Sequence, residues 1–243
     1  MFGRKLCQKL RPRTNSQRVR PDKNSLDVRW AIFANAPSNS STARTRAVCS
    51  ATPSFSAALR AALRQAPKVI LVGEMRDKET IEIALTAAET GHLVLSTLHT
   101  IDASKTVERI VGVFPPSDQV AIRGRLAASF RYFVAQRLLP RKDGKGRVAV
   151  LEILKSTLRT REYVEKGEGD GKTLLDAMRV GGAEGMQHFD GEIEKLVRTR
   201  AVDLDIALGY ATNAGNLRLE LADFDPTAPQ PPKAADSEFE LTR

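Results

Sequence analysis

The sequence predicts an α/β fold, in which a partial sheet of parallel strands is followed by a small all-helical domain. Residues 69–72 are four consecutive aliphatic residues, and residues 92–97 form a second, largely apolar run. Runs of this kind are typical of strands that are buried on both faces of a parallel sheet. The last third of the chain shows helical periodicity instead, which predicts the helical domain.

The segment between the two runs predicts a crossover helix. Its apolar residues recur at the spacing of one helix face, at Ile81, Ala84, Leu85 and Ala88. Gly91 follows the last of them and is expected to end the helix. The three elements predict a strand–helix–strand unit, because parallel strands need such a crossover.

A single carboxylate, Glu74, follows the first strand directly at its predicted carboxyl end. In open α/β sheets the ligand crevice lies outside those strand ends. An acid there is placed to hold or polarise an attacking water near a nucleotide phosphate. His92 and His99 flank the second strand, although histidines at strand ends are also common as ordinary surface or core imidazoles.

The downstream elements are predicted from caps and periodicity. Ser117 is expected to cap a helix that runs to residues 136–140. The apolar residues of this helix are Val120, Leu126, Ala127, Phe130, Phe133 and Val134. Residues 148–154 predict a strand. Helices are expected near residues 174–179, 191–200 and 203–211, with His188 as a polar residue at a helix start.

Residues 63–77 and 89–100 together resemble the type II/type IV secretion ATPases, most of all the branch that drives pilus retraction in twitching motility. The family pattern is Leu-Arg, two residues, Pro-Asp, four apolar residues, then Gly-Glu-Met-Arg-Asp. The chain matches it except that Lys68 replaces the aspartate. The resemblance extends over residues 54–224. It implies a partial RecA-like P-loop NTPase core of three α/β/α layers, followed by a small helical C-terminal domain.

This resemblance also implies roles for individual residues. Glu74 would be the general base or the residue that orients the attacking water. Thr97 and His99 would sense the γ-phosphate, and His92 would couple the phosphate state to a neighbouring subunit. Arg76 and Arg137 are candidate interface cations, although an arginine at a helix C-terminus also stabilises the helix dipole. The Walker B motif would consist of Val69, Ile70, Leu71, Val72, Gly73 and Glu74.

No segment of the sequence matches a P-loop, which needs Gly, four residues and then Gly-Lys-Ser/Thr. Residues 167–173 imitate it, but Lys166 stands where the first glycine is required. A turn that leads into a helix is therefore expected there. The family uses ATP and Mg²⁺, but we expect neither to bind tightly to this chain alone. No metal held by protein ligands is expected, and no cysteine follows Cys49, which favours the retraction-type branch over relatives with a four-cysteine zinc module.

Residues 1–46 contain eleven basic and two acidic residues, so they account for the whole net charge of +9. Three interpretations stay open: a product of gene truncation or frameshift, a disordered basic arm, or an unrecognised stretch of sheet. The expected organisation is then the basic segment 1–46, a partial RecA-like core at 47–155, a helical domain at 156–224 and a disordered tail at 225–243. An exposed sheet edge is expected, because the core would be incomplete.

The resemblance implies a fragment or degenerate member of a hexameric ATPase that powers pilus retraction. The expected partners are other copies in a homo-hexamer or a full-length pilus ATPase, and the family also works with an inner-membrane pilus platform protein. The expected location is the cytoplasm, peripheral to the inner membrane at the pilus base. One alternative is a non-catalytic subunit that modulates a full-length pilus ATPase, and another is a type II secretion ATPase-like protein. Nucleic-acid binding by the basic segment has only charge in its favour, and no apolar run reaches the length of a membrane span.

Overall fold

A five-stranded sheet forms the centre of the protein. The computed structural model describes residues 30–33, 59–61, 63–65, 67–169 and 171–224. The strands are β1 (Trp30–Phe33), β2 (Val69–Glu74), β3 (Leu93–Thr97), β4 (Phe130–Pro140) and β5 (Arg147–Lys155). They lie in the order β2-β3-β1-β4-β5. β2 and β3 are parallel, whereas β1 runs antiparallel to both of its neighbours and β4 and β5 form an antiparallel pair.

The described part of the chain includes helical residues at 59–61 and 63, one 3₁₀ turn and the α-helices whose bounds follow. They are α1 (Lys78–Glu89), α2 (Ala103–Gly112), α3 (Pro116–Ser129), α4 (Leu158–Lys166), α5 (Leu174–Val180), the 3₁₀ turn Gly181–Glu184, α6 (Phe189–Arg198), α7 (Leu204–Tyr210) and α8 (Ala214–Glu220). The mixed α/β architecture confirms the predicted fold class. The predicted strand at 148–154 and the three helices near 174–179, 191–200 and 203–211 are confirmed too.

The strand–helix–strand unit predicted from the two apolar runs is confirmed as β2, α1 and β3. Helix α1 begins after Asp77, whose carboxylate accepts a hydrogen bond from the Thr80 backbone N–H at 2.8 Å. This N-cap satisfies an amide that has no partner within the helix. After the helix, Gly91 adopts φ +94°, a left-handed conformation that residues with a Cβ rarely adopt. The chain can therefore reverse direction and enter β3 within a few residues.

The helix predicted from Ser117 to residues 136–140 is wrong in its second half. Helix α3 ends at Ser129, and the residues that follow form β4. Along β4 the side chains alternate, with Phe133 and Ala135 buried and the intervening residues more exposed. Backbone pairing with β5 extends over nine residue pairs, so the sheet supplies hydrogen bonds that a helix would otherwise make. Ser117 is not the cap, because Pro115 occupies the N-cap position.

Buried side chains form two clusters. The larger one lies between the sheet and helices α1 to α5, and its fully buried members include Val72, Val94 and Leu126. The smaller one joins the distal part of β4 and β5 to helices α6 to α8 around Phe189. The larger cluster also holds Val164 and Leu174, so helices α4 and α5 pack with the sheet. The boundary at residues 155 and 156 stays a prediction.

The structure tests only part of what was predicted for the two ends of the chain, residues 1–46 and 225–243. Residues 30–33 form β1 within the sheet. For these four residues the structure agrees with the interpretation that the basic segment contains an unrecognised stretch of sheet. The other residues of 1–46, and the tail at 225–243, lie outside the described residues. Within the described part of the chain, no helix combines the length and apolarity needed to cross a membrane.

Candidate functional site

The carboxyl ends of β2 and β3 bring two of the predicted site residues side by side. Glu74 is the register partner of Thr97, so the acid and the hydroxyl sit at the same level of the sheet. The Thr97 hydroxyl donates a hydrogen bond to the Gly73 carbonyl. This bond ties the two strand ends together where the ladder is irregular, between Val72 and Glu74. The parallel pairing of the two apolar runs therefore positions the site.

An arginine and a histidine face the Glu74 carboxylate. Arg76 approaches Oε2 at 2.6 Å through its NH2 nitrogen, and His99 Nε2 lies 3.7 Å from Oε1. The Glu74 side chain is 26% exposed, whereas those of Arg76 and His99 are 72% and 73% exposed. The acid is thus partly sheltered, while the groups facing it are open to solvent and to a ligand.

The pKa of Glu74 is lowered from its ordinary value. The hydrogen bond from Arg76 is the largest cause, and electrostatic interactions with Arg76, His99 and Arg109 lower the pKa further, whereas partial burial raises it. A carboxylate with a lowered pKa stays ionised at neutral pH and is a weak base. In this arrangement Glu74 is better suited to accept a hydrogen bond from water, and so to orient it, than to remove its proton.

The four residues from Glu74 to Asp77 have different structural roles. Met75 is 3% exposed and anchors the segment in the larger core. Arg76 holds the Glu74 carboxylate, and Asp77 caps helix α1 through Thr80. Hydrogen bonds from Thr80 also lower the pKa of Asp77. One residue of the motif therefore faces the site, one orients it and two fix the backbone.

Helix α2 carries a cation that the sequence did not single out. Arg109 contributes to the electrostatic stabilisation of the ionised Glu74. The start of α2 is held by Asp102, which accepts from the Lys105 N–H at 2.7 Å, and by the buried Glu152 of β5, which accepts from the Ala103 N–H at 2.8 Å. β5 thus fixes the helix that follows the His99 loop.

His92 lies at the opposite end of β3 from Thr97. Its Nδ1 is 3.1 Å from the Ala87 carbonyl and 3.2 Å from the Thr90 hydroxyl. The five residues of β3 separate the two ends, which at the rise of an extended strand is about 16 Å. The structure therefore does not bring His92 to Glu74, and its role in coupling subunits stays a prediction.

Arg137 joins β4 to the helices of the smaller core. Its guanidinium carbon lies 3.8 Å from the centre of the Phe189 ring, and NH1 donates to the Tyr210 carbonyl at 2.7 Å. It lies on a strand, so the explanation from a helix C-terminus does not apply. These contacts give Arg137 a structural task within the chain, and its role at an interface stays a prediction.

The described residues of the glycine-rich segment, 167–169 and 171–173, lie in the connection that leads into helix α5, as expected. Thr173 caps the helix by accepting from the Asp176 N–H at 3.0 Å. Glu168 accepts from the Leu174 N–H at 2.6 Å and from the Ser104 hydroxyl at 2.9 Å. The amide at the helix start is thus already bonded to a carboxylate of the chain itself, which a phosphate would have to displace.

The donor set at Glu74 suits a phosphate and a water rather than a metal ion. Arg76, Arg109 and His99 complement the charge of a phosphate, and Glu74 can accept from a water. Among the described residues no group of three or more His, Cys, Asp or Glu side chains could hold a metal ion. Magnesium would have to rely on the nucleotide phosphates and on ligands other than such a cluster.

Sequence reasoning missed two carboxylates and one cation, of which Arg109 and Glu152 shape the surroundings of Glu74 and Asp190 belongs to the smaller core. Arg109, Glu152 and Asp190 meet their partners only in the folded chain, across separations of tens of residues. Asp190 is 2% exposed and accepts from the Thr212 and Asn213 backbone N–H groups at 2.6 and 2.9 Å. No local pattern distinguishes Arg109.

A family model described as "Type II/IV secretion system protein" matches residues 42–207. The "Twitching motility protein" of Neisseria gonorrhoeae is 45% identical over 166 residues, which are 68% of this chain and 44% of that protein. The "Type IV pilus retractation ATPase PilT" of Pseudomonas aeruginosa is 48% identical over 143 residues, 59% of this chain and 41% of that protein. The chain thus spans less than half the length of these relatives.

Solved structures agree with these matches. The crystal structure of the pilus retraction motor PilT with bound ADP superposes with a TM-score of 0.57 at 40% identity, covering 67% of this chain and 45% of that one. The ATPase DotB of Legionella pneumophila gives a TM-score of 0.54 at 30% identity, covering 64% and 41%. Sequence and fold therefore point to the same group of proteins.

Proposed function

The chain belongs to the type II/IV secretion system protein family, and on this premise we propose that it is a fragment or degenerate member of the ATPases that power type IV pilus retraction. The observation that carries the proposal is the constellation at the ends of β2 and β3. Glu74 and Thr97 are register partners there, and His99 lies 3.7 Å from the acid. This constellation corresponds to the hydrolytic half of a nucleotide site.

Each group has a role in phosphoryl transfer to water. The ionised Glu74 accepts a hydrogen bond from the attacking water and aligns it with the γ-phosphorus. His99 and the nearby arginines stabilise the negative charge that spreads over the phosphoryl oxygens in the transition state. Thr97 ties β3 to β2 through the Gly73 carbonyl, so a phosphate contact at β3 is transmitted to the strand that carries Glu74.

The nucleotide-holding half is missing from the sequence. No P-loop is present, so no lysine is fixed by the backbone against the β- and γ-phosphates, and no P-loop hydroxyl awaits magnesium. The chain alone therefore binds ATP weakly and does not turn it over. Its hydrolytic residues act, if at all, within an assembly that supplies bound nucleotide.

The partner that this proposal requires is a longer relative. The chain spans 41% of the Pseudomonas aeruginosa retraction ATPase, and it joins a hexamer of such subunits through the surfaces that two subunits share. The place of action is the cytoplasmic face of the inner membrane at the pilus base, next to the platform protein. Labelled chain that stays uniformly distributed in cells with active pili would contradict this location.

Co-purification and turnover test the proposal. Tagged chain is mixed with the full-length Pseudomonas aeruginosa protein, and ATP hydrolysis is measured for the chain alone, for the relative alone and for the mixture. We expect no turnover by the chain alone, association in the mixture and a changed rate per full-length subunit. Failure to associate at micromolar concentration would overturn the proposal.

A second candidate function is that of a non-catalytic subunit that modulates a full-length pilus ATPase. One observation favours it: the chain carries only half of a nucleotide site. Glu74→Gln separates the two functions, because the amide keeps the size of the side chain but is uncharged and a poorer acceptor. If Glu74 acts in the assembly, wild type and variant change the turnover of the mixture differently. Equal effects of the two proteins would assign the chain to the modulator function. Lys145→Glu, on the exposed β4–β5 connection, is the matched surface control.

A further inference from the structure

We propose that Glu152 and Glu168 form a clamp on the first turn of helix α2, and that this clamp couples the position of His99 to the C-terminal half of the chain. Ala103 and Ser104 are the first two residues of α2. Glu152 accepts from the Ala103 N–H at 2.8 Å, and Glu168 accepts from the Ser104 hydroxyl at 2.9 Å. Two adjacent residues are therefore held by carboxylates that follow them by 49 and 64 positions in the sequence.

Glu152 is an acid on the buried face of β5. It alternates along the strand with Val150 and Leu154, and the three residues are all nearly inaccessible to solvent. Val150 belongs to the smaller cluster and Leu154 to the larger one, so the carboxylate lies where the two clusters meet. Burying a carboxylate costs free energy unless it is hydrogen-bonded or paired. The Ala103 amide meets this need, because it has no partner within α2 and lies at the positive end of the helix dipole.

The start of α2 determines where His99 lies. Both neighbours of His99 are anchored: Leu98 is buried in the larger cluster, and the buried Thr100 has its hydroxyl 2.7 Å from that of Thr106 in α2. His99 itself is exposed and lies 3.7 Å from Glu74. A displacement of the first turn of α2 is therefore passed through Thr100 to His99 and changes its position relative to Glu74.

Glu168 connects the same turn of α2 to helix α5. One oxygen, Oε1, accepts from the Ser104 hydroxyl and from the N–H of Leu174, which is the first residue of α5. Leu174 is buried in the larger cluster, whereas Glu168 is exposed, so solvent can compete for its two bonds. The clamp therefore has a buried contact that fixes α2 and an exposed contact through which a movement of α5 reaches it.

The two carboxylates act through helix α2 and not on the phosphate, which makes them positioning residues. Their consequence for hydrolysis rests on the proposed function, because only there do His99 and Glu74 act on a nucleotide. The geometry of the clamp itself belongs to this chain alone. It can therefore be tested without nucleotide or partner.

NMR of the full chain tests the buried contact. Glu152→Met removes the acceptor at similar volume, so hydrogen exchange of the Ala103 amide should accelerate about tenfold, as expected for one lost hydrogen bond. The nuclear Overhauser contact between the His99 ring and the Glu74 side chain should weaken as well. Glu152→Gln keeps an oxygen for the Ala103 N–H and should retain both signals. An unchanged Glu152→Met, or equal losses in the two variants, would overturn the proposal.

Ser104→Ala tests the exposed contact and decides the matter even where Glu152→Met does not fold. It removes the hydroxyl and leaves the bond between Glu168 and Leu174 in place. Ser117→Ala is the matched control, because Ser117 is also the second residue of a helix and its hydroxyl also donates to a carboxylate, that of Asp118 at 3.0 Å. Only Ser104→Ala should weaken the contact between His99 and Glu74. The same result in both variants would overturn the coupling.

Turnover of the mixture with the full-length Pseudomonas aeruginosa protein separates the clamp from the proposed function. If the wild-type chain changes this turnover, Ser104→Ala should reduce the change by about threefold or more at unaltered association, because a misplaced group loses reactivity. An undiminished change would overturn the coupling. If the wild-type chain has no effect on turnover, the proposed function fails, whereas the NMR comparison on the chain alone still decides whether the clamp positions His99.

Discussion

At the scale of single residues, the state of Glu74 is set by its neighbours rather than by burial. Arg76 contacts the carboxylate at 2.6 Å and is the largest cause of its lowered pKa. Because Arg76 is itself well exposed, the pair can open when a ligand competes for either group. The lowered pKa keeps the carboxylate ionised at neutral pH, where it is a weak base.

Replacing Arg76 tests this electrostatic assignment. In Arg76→Ala the pKa of Glu74 should rise towards the ordinary glutamate value, because its strongest hydrogen bond and nearest positive charge are removed. The pKa is measured by NMR titration of the carboxyl carbon. Arg147→Ala, at the exposed start of β5, is the control and should leave it unchanged. An unaltered Glu74 titration in Arg76→Ala would show that other groups set its charge.

His188 gives the smaller core a dependence on pH. It is the N-cap of helix α6, where Nδ1 accepts from the Gly191 N–H at 3.1 Å. Burial, and then the charge of Arg179, lower its pKa. The unfolded chain therefore binds the proton more readily, so the free energy of unfolding falls as the pH drops below about 6.5 towards the folded-state pKa.

His188→Asn should remove this part of the pH dependence, because asparagine caps a helix without titrating. Urea unfolding is measured for both proteins across the mildly acidic range. The advantage of wild type over variant should shrink as the pH falls, since only the histidine becomes protonated. A difference in unfolding free energy that is constant with pH would contradict a neutral capping role for His188.

At the scale of elements, strong local patterns predicted the structure well and weak ones failed. The two apolar runs and the helix between them were predictable because strand burial, helix period and the glycine at position 91 agree. The helix predicted across residues 117–140 failed because Phe130, Phe133 and Val134 fit a helical spacing as well as a strand spacing. Pairing with β5 decided between them, and no local pattern contains that pairing.

The candidate site was predictable to a similar degree. The motif around Glu74 and the second strand identified the two elements that meet, and the register of β2 and β3 places Glu74 beside Thr97. The contributions of Arg109 and Glu152 could not be predicted. They depend on how helix α2 packs between the site and β5, which is a tertiary property.

Two glycine substitutions test whether Gly91 is needed for its left-handed backbone conformation, with Gly124 of helix α3 as the comparison. Gly91→Ala should lower the free energy of unfolding by about 1 kcal/mol, since alanine is strained at φ +94°. Gly124→Ala, inside helix α3 where a Cβ meets nothing within 4 Å, should raise it by about 0.5 to 1 kcal/mol. Chemical denaturation of both variants measures the pair. Equal signs would refute the conformational argument.

At the scale of the whole molecule, Glu74, Thr97 and His99 lie together in a chain that spans less than half the length of its relatives. It matches 44% of the Neisseria gonorrhoeae twitching motility protein and 45% of the retraction motor PilT structure. Its two buried clusters meet along β4 and β5, so the site and the C-terminal helices share one sheet.

The proposed function requires that this chain carries residues that act on a nucleotide but lacks those that hold it. The most direct test is the thermal unfolding of the full chain with and without saturating Mg²⁺ and a slowly hydrolysed ATP analogue. We expect no change in the melting temperature. A ligand present at about 100 times its dissociation constant would add about 2.7 kcal/mol of stability. A rise of that size would show that the chain binds nucleotide by itself and would contradict the claim.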